Sequence, residues 1–399
     1  MRILIAGGGI GGLAAALSLH AAGFTEVTVA ESAGEIRPLG VGVNLLPHAV
    51  RELTELGLAP RLEETARATG ELAYYDRYGS EIWREPRGLA AGYHWPQYSV
   101  HRGELQMMLL REVEARGVPV LTDRRLTGYG DAEAEFADGS TLGFDLLVGA
   151  DGIRSTVRAS LYPDEGPPPW NGLVLWRGTT YGKPFLTGRT MIMAGDGERK
   201  FVAYPITDTL INWIAERPVA GEATGRGDWN RQVPAAEILP HFEEWRFDWL
   251  DVPGLIAGAE AIYEYPMVDR DPLPRWTHGR VTLLGDAAHA MYPIGSNGAS
   301  QAILDARVLA LHLTKFQDIG LALAAYEEDR RPPTTALCLA NRQMGPEVVM
   351  KLAHERAPGG FADIEQVIPL AEREAIAASY KRTAGFHPDL LNDRPSYTP

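Results

Sequence analysis

One cysteine in 399 residues, Cys338, is the first scarcity. A lone thiol excludes an internal disulfide framework. With no CxxC, HxxxH or clustered Cys/His spacing either, neither a structural nor a catalytic metal is expected. Its apolar helical surroundings read as those of a buried, inert thiol. Positive charge is short as well: 38 Lys and Arg against 52 Asp and Glu leave a formal net charge of −14. That balance argues against nucleic acid and anionic membrane surfaces as partners. No apolar run is long enough to span a bilayer. Residues 3–19 come nearest, but glycines break them and only Arg2 precedes them, so they read as neither a membrane span nor a secretion signal. The cytoplasm is the expected compartment. Internal repeats, charge blocks and low-complexity tracts are absent too. The composition left is ordinary and globular, with room for two or three domains.

Glycine is what the chain has in quantity, 43 residues of it, and its placement at the start is informative. An apolar run, Arg2 to Ala6, leads into Gly7-Gly8-Gly9-Ile10-Gly11-Gly12, then an apolar stretch to Leu19, then Val27 to Ala30 ending on Glu31. The order is strand, tight turn, helix, strand, with Gly7, Gly9 and Gly12 in the G-x-G-x-x-G positions. The first glycine permits the turn, the second lets backbone amides approach a pyrophosphate, and the third lets helix and strand pack closely. The helix N-terminus then offers its partial positive charge to the phosphates. Glu31 is placed to accept the hydroxyls of an adenosine ribose. This pattern predicts a dinucleotide site, either NAD or FAD.

Beyond Glu31, a glycine-rich loop runs from Ser32 to Asn44. Pro47 opens a helix over 47–56, and a second helix is expected to reach about Thr69. Residues 71–77 and 81–84 form a hairpin around Tyr78-Gly79-Ser80. A helix runs from Gly103 to Arg116, with Arg102 at its start as either a surface cation or a phosphate clamp. Short strands follow, with Asp138-Gly139 as a hairpin turn. Asp145 to Ala150 is a buried strand that ends in Asp151-Gly152-Ile153-Arg154-Ser155. Strands are expected at 172–180, 189–195, 200–206 and 209–216, in an antiparallel sheet continuous with the first hairpin. A polar linker over 218–232, a helix over about 235–246 and a strand over 259–266 complete that region. Asp271-Pro272-Leu273-Pro274 returns the chain to the first domain. There Arg280 to Leu284 leads into Gly285-Asp286-Ala287-Ala288-His289, then Pro293 to Gly298, then a helix from Ala299. This is a second strand–loop–helix aimed like the first. Residues 319–382 read as helical, and the tail from about 384 as extended or frayed.

These three elements together, Gly7 to Gly12 with Glu31, Gly149 to Ser155, and Gly285 to His289 with Pro293 and Gly295, resemble the single-component FAD-dependent aromatic hydroxylases. The class includes para-hydroxybenzoate, salicylate and 3-hydroxybenzoate hydroxylases. Glu35 to Gly42, His101 to Gln106 and Tyr265 to Pro274 further resemble its phenazine-hydroxylating branch, whose pyocyanin-forming member acts on 5-methylphenazine-1-carboxylate with loss of the carboxylate. The resemblance implies an α/β fold: a Rossmann-like FAD-binding domain (1–70, 99–171 and 267–345), an inserted antiparallel-sheet substrate domain (71–98 and 172–266), and C-terminal helices with a tail (346–399). It implies that Glu31 holds the adenosine ribose, that Arg102 and Gln106 hold the phosphate and ribityl region, and that Asp286 binds the ribityl or pyrophosphate. Val41, Gly42 and Val43 would border one edge of the flavin. Pro293, Gly295, Ser296, Asn297 and Gly298 would line its pyrimidine edge and the oxygen-reaction side. Asp151 and Gly152 are associated with FAD and the nicotinamide donor. Ile10, Gly11, Ser32, Arg37 and Leu126 also fall to the cofactor.

The implied activity is hydroxylation of a flat aromatic or heteroaromatic substrate with NADH or NADPH and O2, through a flavin C4a-hydroperoxide that must be kept from water. A chemistry carried by the cofactor needs no protein nucleophile, and no Ser/His/Asp or Cys/His set is apparent. His289 reads as structural. Tyr204, Trp176, Met191 and Pro293 are the candidate substrate wall. The resemblance implies a monomer or homodimer. The alternative is a flavoprotein that sequesters an aromatic ligand, or oxidises or reduces it without hydroxylating it. A plain NAD dehydrogenase would leave the Gly285-Asp286 loop without a task.

Overall fold

The computed structural model describes residues 1–219 and 231–398. The centre of the molecule is a five-stranded sheet in the order Val281–Leu283, Leu146–Gly149, Ile3–Ala6, Val27–Ala30, Val120–Leu121, with every neighbouring pair parallel. Ile3, Leu146 and Val27 stand side by side in register. Parallel strands are covered on both faces, which is why these segments read as unbroken apolar runs rather than alternations. The covering includes the helix Ile10–Ala21, buried from Leu13 to Leu19. Its Ala14-Ala15-Ala16 run lets the helix Gly298–Lys315 lie close against it.

A second, seven-stranded sheet stands over the first. Its order is Ala259–Val268, Trp170–Tyr181, Leu210–Pro218, Lys200–Pro205, Thr190–Gly195, Glu71–Asp76, Glu81–Pro86. The expected continuity with the 71–86 hairpin is present, but the sheet is not wholly antiparallel. Thr190–Gly195 runs parallel to Glu71–Asp76, from Thr190 opposite Glu71 to Gly195 opposite Asp76. The two are joined by a long excursion through the first sheet rather than by a hairpin, so the constraint that forces antiparallel pairing does not apply. The strands alternate, with irregularities near Trp170–Val174, Gly178–Thr180 and Tyr74–Tyr75. Trp176, Ile192, Phe201, Ala203, Trp213 and Ala215 point to one side and pack on residues 233–256. Their neighbours, among them Tyr74, Met191, Met193, Val202 and Tyr204, point to the other side, where they cluster with Val349, Met350 and Ala353.

Three local expectations are corrected. The helix after Gly57 ends at Thr65, and Arg67–Thr69 is instead a strand on Gln97–His101. Pairing across the chain overrides a pattern too short to fix helix or strand. The helix expected over 235–246 is only Ala235–Ile238 with one tighter turn, Leu239–His241, because Pro240 removes the donor a continuing helix would need. A small hairpin, Arg246–Phe247 with Leu250–Asp251, takes up the rest. The linker at 218–232 lies largely outside the described residues. The tail is not frayed. Phe386 and Leu391 are buried, each worth about 1.5–3 kcal/mol. Arg51 donates to the Leu391 and Arg394 carbonyls, and Arg394 pairs with Glu52. Cys338 is buried as expected, its thiol pushed up to about 12 by burial.

Candidate active site

The glycine turn is shaped by collision. Gly7 takes a left-handed φ of 111°, and a side chain there would run into the Ala150 carbonyl; one at Gly12 would run into the Gly7 carbonyl. Gly9, by contrast, has nothing within 4 Å of where a Cβ would stand. Its open face looks into a cavity, and the helix that starts there has no side-chain cap. The Gly8 peptide is held from both ends: its N–H donates to Glu31 Oε2 at 2.7 Å, and its carbonyl accepts from Gln106 Nε2 at 2.8 Å. Glu31 Oε1 accepts from the Ala33 N–H and the Ser32 hydroxyl. Glu31 and Gln106 therefore fix the loop itself. Arg37 is exposed in an ion pair with Glu35, and Leu126 is buried in the core.

The second loop enters the same cavity from the end of Val281–Leu283, two strands along the parallel sheet from Ile3–Ala6. Asp305 is fully buried and organises it, accepting from the Gly285 N–H (3.0 Å), from His289 Nε2 (2.5 Å) and from Arg330 (2.7 Å). Burial works against ionisation of Asp305, but His289 and Arg330 outweigh it and hold the carboxyl at about 2. Arg158, also buried, donates to the Ala287 and Ala288 carbonyls. His289 is thus a structural partner. Asp286 is left exposed at the cavity mouth. Asp151 caps the helix Thr156–Leu161, accepting from Ser155 and from the Thr156 and Val157 amides, while Gly152 faces the cavity.

Pro293 to Gly298 is locked from behind. Asn297 Nδ2 donates to the Gly295 carbonyl (3.0 Å) and to the Tyr380 hydroxyl (2.9 Å). That hydroxyl lies 3.1 Å from the Ile294 carbonyl and 2.8 Å from Asn341 Oδ1. A side chain at Gly295, which has φ 63°, would fall inside the Tyr380 ring. Ser296 also has a positive φ, 60°, a conformation disfavoured for any residue but glycine. Nothing in the sequence marks Tyr380 as the buttress.

Between the two loops and the large sheet lies a cavity of about 320 Å³. Its floor is Gly9, Ile10, Gly11, Gly285, Asp286 and Gly298, and its roof the inner face of the sheet. Tyr204, Met191 and Pro293 line it. Trp176 does not, which corrects the sequence expectation. On Trp170–Tyr181, Leu175 and Arg177 point into the cavity, so Trp176, one residue between them, points away. It stacks on His241 and donates to Glu264 at 3.0 Å. Gly42 latches roof to floor: its N–H donates to Asn212 Oδ1 (2.6 Å) and its carbonyl accepts from Arg177 (2.9 Å). Sequence reasoning missed Arg177, Lys200 and Glu216. Their signal was there, as charged residues at the inward positions of otherwise apolar alternating strands.

The site fits a dinucleotide on its own geometry, with two helix N-termini and an open glycine cradle facing one void. Residues 1–167 and 267–339 match the model of the FAD binding domain family. The chain is 47% identical to the phenazine 1,6-dicarboxylic acid hydroxylase PhzS of Lysobacter antibioticus, over 95% of this chain and 96% of that one. It is 33% identical to 3-hydroxybenzoate 6-hydroxylase 1 of Aquipseudomonas alcaligenes, over 82% and 84%. Among solved structures it resembles Klebsiella pneumoniae HpxO complexed with FAD and uric acid, with a TM-score of 0.76, 25% identity and coverage of 98% and 96%. On the sequence, the fold and the cradle alike, this chain belongs to the FAD-dependent aromatic hydroxylases, flavoprotein monooxygenases with FAD as cofactor.

Proposed function

We propose that the protein hydroxylates a flat, carboxylated heteroaromatic of the phenazine type, with NADH or NADPH as electron donor and O2 as oxidant. The observation that carries the substrate class is Arg177. Its guanidinium faces the cavity among Leu175, Met191, Met193, Val202 and Ile214. It donates to the Gly42 carbonyl and the Tyr204 hydroxyl and lies 5.9 Å from the Tyr265 ring, with no carboxylate in ion-pair range among the described residues. Burial, and then Arg102, push it down from its usual value. A half-buried cation beside apolar side chains and without a counter-ion is costly, and an incoming carboxylate removes that cost. The apolar side chains beside it form a slot for fused rings. The 47% identity to a hydroxylase of a phenazine dicarboxylate supports the same reading.

FAD, when bound, accepts the hydride and activates oxygen for transfer to the ring. The chain's residues do the rest. The N-termini at Gly9 and Gly298 would face the pyrophosphate and the electron-rich edge of the ring system, and Asp286 would accept from ribityl hydroxyls. Glu31, Ser32, Arg102 and Gln106 would set the loops that grip the nucleotide. The sheet, sealed at Gly42, would exclude water. In this reading, residues 1–70, 99–171 and 267–345 carry the cofactor, residues 71–98 and 172–266 carry the roof, and the enzyme works in the cytoplasm as a monomer or homodimer.

The test compares phenazine carboxylates with unsubstituted phenazine on FAD-loaded enzyme, following NAD(P)H and O2 consumption and product. A charged hydrogen bond contributes about 1.5–3 kcal/mol, so Arg177→Met should raise KM for the carboxylate roughly 10- to 150-fold and leave that for phenazine unchanged. Tight binding with no stimulated NAD(P)H oxidation would point instead to a sequestering protein.

A further inference from the structure

The inner face of the roof carries a charge cluster that cofactor and substrate binding leave unexplained. Lys200 Nζ lies 2.6 Å from Glu347 Oε2 and 2.8 Å from Glu216 Oε2. Glu216 and Glu347 are 7% and 1% exposed and Lys200 9%. With both carboxylates ionised, one ammonium between them would leave a single uncompensated negative charge in the interior. Buried ion pairs contribute little net stability, and an unbalanced triad contributes less, so stability does not account for it.

Its position does suggest a use. All three side chains line the main cavity and also a second cavity of about 140 Å³ on the other side, bounded by Asn171, Gly197, Arg199 and Arg342. The cluster is the wall between them. The second cavity leads outward, since Asn171 and Gly197 are exposed. The turn that delivers Glu347 is itself costly: Met344 sits at φ 68°, and a side chain on Gly345 would crowd the Tyr380 ring. Glu347 Oε1 in turn accepts a long hydrogen bond, 3.5 Å, from the Gly295 N–H in the Pro293–Gly298 loop.

Every turnover of an NAD(P)H-dependent hydroxylation consumes a proton. Donor, O2, ring C–H and one H⁺ become oxidised donor, phenol and water, and loss of a carboxylate would consume one more. If the cavity is shut against water during turnover, that proton needs a route other than the mouth at Asp286. We propose that Glu347, Lys200 and Glu216 conduct it from the second cavity to the substrate cavity. Glu347 takes a proton from water in the outer cavity. Lys200 gives a proton to Glu216 as it accepts the one on Glu347, and Glu216 releases it inward, where it ends in the water product. The ammonium keeps its charge throughout, and no electron moves.

The groups facing the cluster are compatible with this. In the second cavity, Arg199 is paired with Asp196, and Arg342 with Asp269 and Asp271. Glu198 and Tyr292 line the same cavity. Tyr74 and Tyr380 approach Glu347, while Arg102, Arg177, Tyr204 and Asp286 stand across the main cavity. Burial raises the Glu347 carboxyl, which favours its holding a proton, and Lys200 partly offsets this.

The inference rests on the hydroxylase reading, and its tests separate the two. Glu347→Gln and Glu216→Gln each leave Lys200 with one carboxylate, a neutral pair of the same shape, and FAD occupancy verifies the fold. With phenazine-1,6-dicarboxylate as substrate, each should cut turnover at least tenfold at alkaline pH, with KM within twofold. The loss should shrink as pH falls, and added formate should restore rate in proportion to its concentration. Wild-type turnover and pH profile in both variants would overturn the conduit and leave the hydroxylase intact. Independently of turnover, the infrared difference spectrum on adding phenazine-1,6-dicarboxylate should show a carboxylic-acid band that shifts in D2O and vanishes in Glu347→Gln. Absence of that band overturns the conduit whatever the substrate proves to be.

Discussion

Replacing Tyr380 with phenylalanine removes one oxygen and keeps the ring that fills the space beside Gly295. That oxygen accepts from Asn297 Nδ2 at 2.9 Å and lies 3.1 and 2.8 Å from the Ile294 carbonyl and Asn341 Oδ1. Asn297 keeps its bond to the Gly295 carbonyl, and Asn341 Nδ2 keeps its bond to the Tyr292 carbonyl. The loss is thus two net hydrogen bonds, with Asn341 Oδ1 left buried and poorly satisfied. At about 1 kcal/mol per bond plus a partial desolvation cost, the variant should be less stable by about 2–3 kcal/mol. Burial holds the phenol far above its ordinary range, so the effect should not vary with pH across the working range. Urea unfolding of the FAD-loaded protein measures the stability. The ratio of hydroxylated product to NAD(P)H consumed measures the function, because a looser Pro293–Gly298 loop admits water beside the activated oxygen. That ratio should fall, with hydrogen peroxide making up the difference. Wild-type stability together with wild-type coupling would refute the assignment of Tyr380 as the buttress.

Asp286→Ala should give a folded protein that retains little FAD, and full occupancy by absorbance would count against the loop's role. Trp176→Phe should cost about 1–2 kcal/mol through the lost Glu264 bond while leaving kcat/KM within twofold, and a change in substrate preference would show that the strand faces the other way. The depressed Asp305 carboxyl contributes stability that is fully present above its unfolded pKa of 3.8 and lost as pH falls toward 2. Wild type should therefore lose about 2 kcal/mol across that window on acid titration, and Asp305→Asn should not.

The parallel sheet, its glycine turn and the second loop were legible because each has a local cause: apolar runs for strands buried on both faces, glycines where a Cβ would collide. Asp286 could be placed at the cavity from its loop, and Gly152 through the resemblance that its loop carries. Trp176 could not. Strand period fixes that Trp176 and Arg177 face opposite ways, but which way is decided by the packing of residues 233–256, far along the chain. Arg177, Lys200 and Glu216 stand out in the sequence as charged residues in apolar alternating strands, but the face they take is set by the same distant packing. Glu347 and Tyr380 come from helices whose docking depends on the whole molecule, and the tail was misread because Arg51 and Glu52 are the partners that hold it.

The parallel pairing of Thr190–Gly195 with Glu71–Asp76 also bears on how the molecule is made. As the chain leaves the ribosome, the 71–86 hairpin appears early and has one edge with no strand to meet it. More than a hundred residues must follow before its neighbour exists, and closing so long a loop is slow. The nascent hairpin is therefore the segment most open to wrong partners during synthesis, and its amides should be among the last to gain protection in a pulse-labelled refolding experiment.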